Sequence, residues 1–186
     1  TNIHDFKFWM AHELGHCLSP SLEGDEAEDF ADAFAANLLY PQQLTIEAYK
    51  SISTQTSPSK KLSCIMDLAN QKVISPYTIF TQVNKHAILH NKPEIELEEG
   101  SFFGAITNLN KKHKNISEIL FSNVALNNNE NPSAQDYITT AEDAFDTQFF
   151  KLLKSYLKQH NKGPGIIQTV LDMSPLDARG MHSELT

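Results

Sequence analysis

Apolar residues crowd the start of the chain. Phe6, Phe8, Trp9, Met10, Ala11 and Leu14 fill the stretch Asp5 to Leu18, which reads as a helix. Ser19-Pro20-Ser21 and Gly24 then supply a short turn. From Asp25 to Leu39, Ala27, Phe30, Ala31, Phe34, Ala35 and Leu38 recur at helical spacing, and Pro41 follows. That pattern predicts a second helix with one buried face, ended by the proline. Two helices joined by so tight a loop are expected to lie antiparallel. Ser51 to Lys61 is polar, rich in Ser and Thr and contains Pro58, so it reads as a loop. Beyond it, Leu62, Ile65, Met66, Leu68 and Ala69 mark a helix, and Ser75-Pro76 look like the N-cap and first residue of another carrying Ile79 and Val83. This pair, over 62–90, resembles a helix-turn-helix. A fainter echo runs from Ile106 to Ala125, with Ile116-Ser117 in the place of Ile74-Ser75. Helix pairs are common packing units, so no repeat is inferred.

The second half of the chain is less regular. Pro93 to Glu99 alternates apolar and acidic residues and reads as a short strand. Asn127 to Pro132 is an Asn-rich loop. One amphipathic helix is expected from about Thr139 to Gln159, with Thr139 and Glu142 spaced as a capping box. Phe145, Phe149, Leu152, Leu153 and Tyr156 would line its buried face, and Lys162-Gly163-Pro164 would stop it. Met173-Ser174-Pro175 offers a further helix start. The fold class this predicts is mainly α, with at most a small β-sheet.

Composition narrows the function classes. The 186 residues are 40% apolar and 20% charged, as for a folded domain, and the formal net charge is -8. An acidic balance argues against direct nucleic-acid binding and against an anionic membrane, because phosphate contacts need clustered Lys and Arg. No apolar run approaches a membrane span, and no secretory signal is read. Cys17 and Cys64 are too few for a disulfide framework; each is expected to pack as a small hydrophobe, and a cytoplasmic location is expected.

The chemistry gathers in His12-Glu13-Leu14-Gly15-His16. Residues four apart on a helix share a face, so both imidazoles can reach one metal ion. Glu13 is turned by about 100° from His12, which keeps it beside the ion rather than on it. There it can take a proton from a water on the metal and pass it to a leaving amine. Catalytic zinc generally takes three protein ligands. The next helix is crowded with carboxylates, and direction selects among them. Glu28 sits on the flank of the apolar face, with Asp32 one turn further along that flank; Asp25 and Asp29 point towards solvent, and Glu26 lies on the other side. Glu28 is therefore the expected third ligand. Asp32 is placed to accept a hydrogen bond from the second nitrogen of a ligand histidine, fixing its tautomer.

His12-Glu13-Leu14-Gly15-His16, followed by Glu28-x-x-Ala31-Asp32-x-Phe34-Ala35-Ala36-x-Leu38-Leu39-x-Pro41, resembles the ImmA/IrrE-type metallopeptidases over roughly the first 41 residues. The resemblance implies an α+β, zincin-like fold with Glu28 as the acidic ligand and Zn2+ as the cofactor. It also implies a regulatory endopeptidase, since members cleave or inactivate repressor proteins. The family carries a small β-sheet before the metal helix, whereas 11 residues precede His12 here; either the chain is shortened or later segments supply the sheet. On this reading 1–55 is the peptidase core, 62–90 the helix-turn-helix-like pair and 91–186 a helical region of unassigned role. The expected partner is a protein or peptide substrate, with a transcriptional repressor as the candidate.

An oxyanion donor could come from His86, His90, His113, Tyr40, Tyr77 or Tyr137, and spacing does not choose among them. The competing reading is a DNA-binding or protein-interaction module whose zinc is structural or sensory. A recognition helix would then present Tyr77, Thr78, Thr81 and Gln82, which bring little positive charge.

Overall fold

Local signals place most helix boundaries. In the computed structural model, which describes residues 1–122 and 132–186, the first helix, α1 (Ile3–Leu18), starts at Asn2. The Asn2 side chain accepts from the backbone N–H groups of His4 at 2.9 Å and Asp5 at 3.3 Å, satisfying two of the free donors at the helix start. α2 spans Gly24–Leu39, with Gly24 at a φ of 57° that suits a residue without Cβ. A helix with no counterpart in the sequence reading follows, α3 (Gln42–Ser53), burying Thr45, Ala48, Tyr49 and Ile52 along one stripe. α4 (Pro58–Lys72) begins at N-cap Ser57, so Pro58 opens a helix instead of lying in a loop that reaches Lys61. α5 (Pro76–Leu89) starts where Ser75-Pro76 predict, although the Ser75 side chain makes no capping bond.

The expected strand at Pro93 to Glu99 is absent. That segment has no ladder, and Ile95 is held instead by Asn84, whose side chain accepts from Ile95 N at 2.7 Å and donates to Ile95 O at 3.1 Å. α6 (Glu99–Asn110) and the short α7 (Ile116–Leu120) follow. Among the described residues the one β pairing is an isolated bridge between Asn2 and Asn115. The fold is thus mainly α, and no described segment forms the small sheet.

Two compact units result, Thr1–Ile116 and Ser117–Thr186. In the first, α3 to α6 enclose a core that includes Tyr40, Ile52, Ile65, Ile79, Val83 and Phe102. Cys64 packs against this core as expected, whereas Cys17 is exposed. α4 ends on Val73 with φ 53°, a left-handed conformation for a β-branched residue.

In the second unit, the single helix expected over Thr139 to Gln159 is two. α8 (Ala134–Phe145) starts at a capping box made by Ser133 and Asp136, not by Thr139 and Glu142. It stops at Asp146, where φ is 46°, and α9 (Phe149–Gln159) starts afresh. The break turns the buried face: Phe150, Leu153 and Leu157 are inside, while Phe145, Phe149, Leu152 and Tyr156 are exposed. α10 (Pro164–Leu171) and α11 (Pro175–Leu185, capped by Ser174) close a core of Ile138, Leu157, Ile167 and Met181. The loop expected at Asn127 to Pro132 and the end of the echo at Ala125 lie outside the described residues, apart from Pro132.

Candidate metal centre

The site is made where α1 meets α2. Contacts pair His12 with Asp32, Gly15 with Ala31 and His16 with Glu28, so residue numbers rise on one helix as they fall on the other. The helices are therefore antiparallel. Their seam is built from small residues: Ala11 and Gly15 on α1 face Ala27, Ala31 and Ala35 on α2, all buried. A Cβ on Gly15 would stand 2.8 Å from the Ala31 Cα, closer than real atoms approach. The large apolar residues of α2 do not fill this seam. Phe30 and Leu38 are exposed, and Phe34 is partly so, which corrects the expectation that they share the buried face. Helix axes this close admit only hydrogen and methyl between them, so the long side chains are pushed to the flank.

Close approach brings side chains from the two helices together above the seam. His12 Nε2 lies 3.0 Å from His16 Nε2 and 3.3 Å from one Glu28 carboxylate oxygen, and His16 Nε2 lies 3.5 Å from the other. On its far side, His12 Nδ1 is 2.9 Å from Asp32 Oδ1. With its hydrogen on Nδ1, a neutral His12 would donate to Asp32 and leave the Nε2 lone pair free for an ion shared with the other two groups. Donor atoms about 2.0–2.1 Å from one tetrahedral ion stand about 3.3–3.4 Å apart. The two imidazole nitrogens are a little closer than that, each lies 3.3–3.5 Å from one of the two Glu28 oxygens, and one donor atom from each residue lies within 4.8 Å of the others. His12, His16 and Glu28 form a group that can hold a metal ion, the one group of three or more His, Cys, Asp or Glu among the described residues to do so. His12 is buried, with its ring centroid 5.5 Å from that of Trp9; Glu28 and Asp32 are largely exposed, so the group opens to solvent on the α2 side.

Glu13 is exposed on α1, one residue past His12 and so turned about 100° from it around the helix. The oxyanion candidates scatter. Tyr40 is in the core, where burial, with Cys64 and Glu47 adding, pushes its phenol up to about 12. His86 is buried, with tilted ring contacts to Tyr49 and His90. His113 packs edge-on to His4, and Tyr137 belongs to the second unit. Tyr77 alone lines a cavity that Asp32 also lines. Of the four side chains a recognition helix would present, Thr78 and Gln82 are buried and Tyr77 is exposed. The sequence reading missed the Gly15–Ala31 contact, whose signal was a glycine inside a helix opposite alanines spaced four apart.

The chain matches no family model, no curated protein and no solved structure. Its likeness to the ImmA/IrrE-type peptidases rests on the motif residues themselves.

Proposed function

We propose that this protein is a zinc-dependent endopeptidase in which His12, His16 and Glu28 hold the ion, Glu13 is the general base and Asp32 fixes the His12 tautomer. The observation that carries the reading is the convergence of two imidazole nitrogens and a carboxylate, within 3.5 Å of one another, beside an acid that belongs to none of those contacts. Two nitrogens and one oxygen favour zinc over calcium or magnesium, which take all-oxygen sets. When bound there, zinc lowers the pKa of a water beside it and polarises the scissile carbonyl.

The chain's own groups do the rest. The exposed Glu13 carboxylate takes the proton of the attacking water and hands it to the leaving amine nitrogen. Asp32 accepts the Nδ1 hydrogen of His12, which holds the ring square to the site and raises the basicity of Nε2. A regulatory role, with a repressor-like protein as substrate, is supported by the likeness to the ImmA/IrrE-type enzymes. A cytoplasmic setting is supported by the two unpaired cysteines, and no helix among the described residues is long and apolar enough to cross a membrane.

Glu13→Gln tests the chemistry directly. The variant is expected to keep stoichiometric zinc, by elemental analysis, and to lose hydrolysis; turnover at the wild-type rate would remove Glu13 from the reaction. Zinc-loaded wild type, incubated with the product of a neighbouring repressor-like gene, is expected to make one defined cut. Bound zinc without a cut by either protein would favour a structural or sensory ion.

A further inference from the structure

A cavity of about 500 Å³ opens next to Asp32 and Trp9, two lining residues that touch the His12 ring. It lies within the range of small-molecule and side-chain pockets, about 300–1,000 Å³. Its walls come from four helices: Phe8 and Trp9 of α1, Ala36 of α2, Tyr77 and Thr81 of α5, Phe103 and Ile106 of α6. Asp32 lines it too, so the cavity begins at the residue that holds His12.

Three aromatic residues of its lining are about half exposed. Trp9 is 53% exposed, Tyr77 54% and Phe103 47%, and Tyr77 and Phe103 stack with centroids 6.4 Å apart. Aromatic side chains carry large apolar surface, and converging rings left half in water mark a surface that some apolar group covers. Of its charged lining residues, Lys85 offsets one of Asp5 and Asp32 and leaves a single negative charge, so selection there rests mainly on apolar volume.

We infer that this cavity receives a bulky apolar side chain, aromatic or large aliphatic, of the peptide substrate next to the bond that is cut, and that α5 supplies its specificity wall. The inference rests on the peptidase reading for the word substrate, but its geometry is independent of Glu13. It also assigns a use to the helix that looked like a DNA reader: Tyr77 and Thr81 face the cavity, and Thr78 lines it from a buried position.

Trp9 is the chain's one tryptophan, so its emission reports the cavity. The probes are two blocked alanine-based hexapeptides that differ at one central position, Phe or Ala, titrated into zinc-loaded Glu13→Gln protein. The Phe peptide is expected to shift the emission saturably and to bind about 10- to 100-fold more tightly than the Ala peptide, as burial of one aromatic side chain predicts. Phe103→Ala, which removes a half-exposed wall, and Thr81→Phe, which fills the space, are each expected to erase that preference while zinc content and the melting profile stay as in the parent. Equal binding of the two peptides, no saturable shift, or an undiminished preference in both folded variants would overturn the assignment. So would a shift produced instead by a DNA duplex in a salt-dependent manner. Peptide preference without cleavage by the wild type would sink the peptidase reading and leave the pocket standing; cleavage without preference would do the reverse.

Discussion

Glu28 and Asp29 are sequence neighbours of the same charge, yet only the Glu28 carboxylate reaches both imidazole rings, at 3.3 and 3.5 Å. Asp29 is exposed and makes no ion pair among the described residues. Glu28→Ala is therefore expected to lose most bound zinc by elemental analysis, while Asp29→Ala keeps it; equal content in the two would move the third ligand elsewhere. Asp32 touches His12 on the nitrogen turned away from His16 and Glu28, so on the proposed reading Asp32→Ala is expected to weaken zinc affinity by about 10- to 100-fold without abolishing binding. A chelator competition assay reads this, and an unchanged affinity would free Asp32 of the role. These residues were legible in the sequence because helical spacing fixes direction: His12 and His16 share a face, and Glu28 and Asp32 share a flank. Trp9, Tyr77 and Phe103 were not, because their meeting at one cavity depends on how α1, α5 and α6 pack, which no local spacing encodes.

Among elements, the α1–α2 hairpin depends on one position. Gly15→Ala places a methyl group 2.8 Å from Ala31 Cα, where backbone and not a pliable side chain must yield. Overpacking of this kind costs about 1–3 kcal/mol, and a shift of α2 away from α1 to relieve it is expected to draw Glu28 from the histidines. The variant is expected to show both a lower denaturation midpoint and a lower zinc affinity; a loss of stability with affinity intact would show that the seam does not position the ligand. The sequence showed where the two helices begin and end, but size misled about their facing surface, because Phe30, Phe34 and Leu38 outweigh alanines in any hydrophobic tally. α3 escaped notice through its polar content, although Thr45, Ala48, Tyr49 and Ile52 keep helical spacing. The split of α8 from α9 turns on Asp146 entering the left-handed region, and no glycine or proline announces it.

Across the molecule, two buried histidines couple stability to pH. Burial holds the imidazole of His4 below its ordinary value, with His113 adding to the effect and Asp5 opposing it. Burial does the same for His86, helped by His90 and Lys92, and Lys92 Nζ donates to its Nε2 across 3.2 Å. A pKa lowered by folding means that the unfolded chain binds the proton first. Stability is then full above the ordinary histidine value, about 6.5, and falls as pH drops through it towards the folded-state values. Denaturant midpoints measured with a chelator present are expected to be lower at about pH 5.5 than at about pH 7.5. His86→Gln, which keeps a polar group there, is expected to flatten the difference, and an unchanged slope would exclude His86 as a source. A metal ion held by His12, His16 and Glu28 would add a second linkage: an ion that binds only the folded chain raises the melting midpoint with concentration, so chelation is then expected to lower it. A midpoint indifferent to chelator would mean that the folded state binds no ion.

All three donors lie within one helical hairpin, so nothing distant in the chain is needed to complete the ligand set. The cost of closing so short a loop is modest and rises only slowly with length. Capture of an ion can thus fasten α1 to α2 before the later helices have found their places. During synthesis this hairpin would emerge before α3 to α11, and an ion held there would serve as a pin around which assembly proceeds.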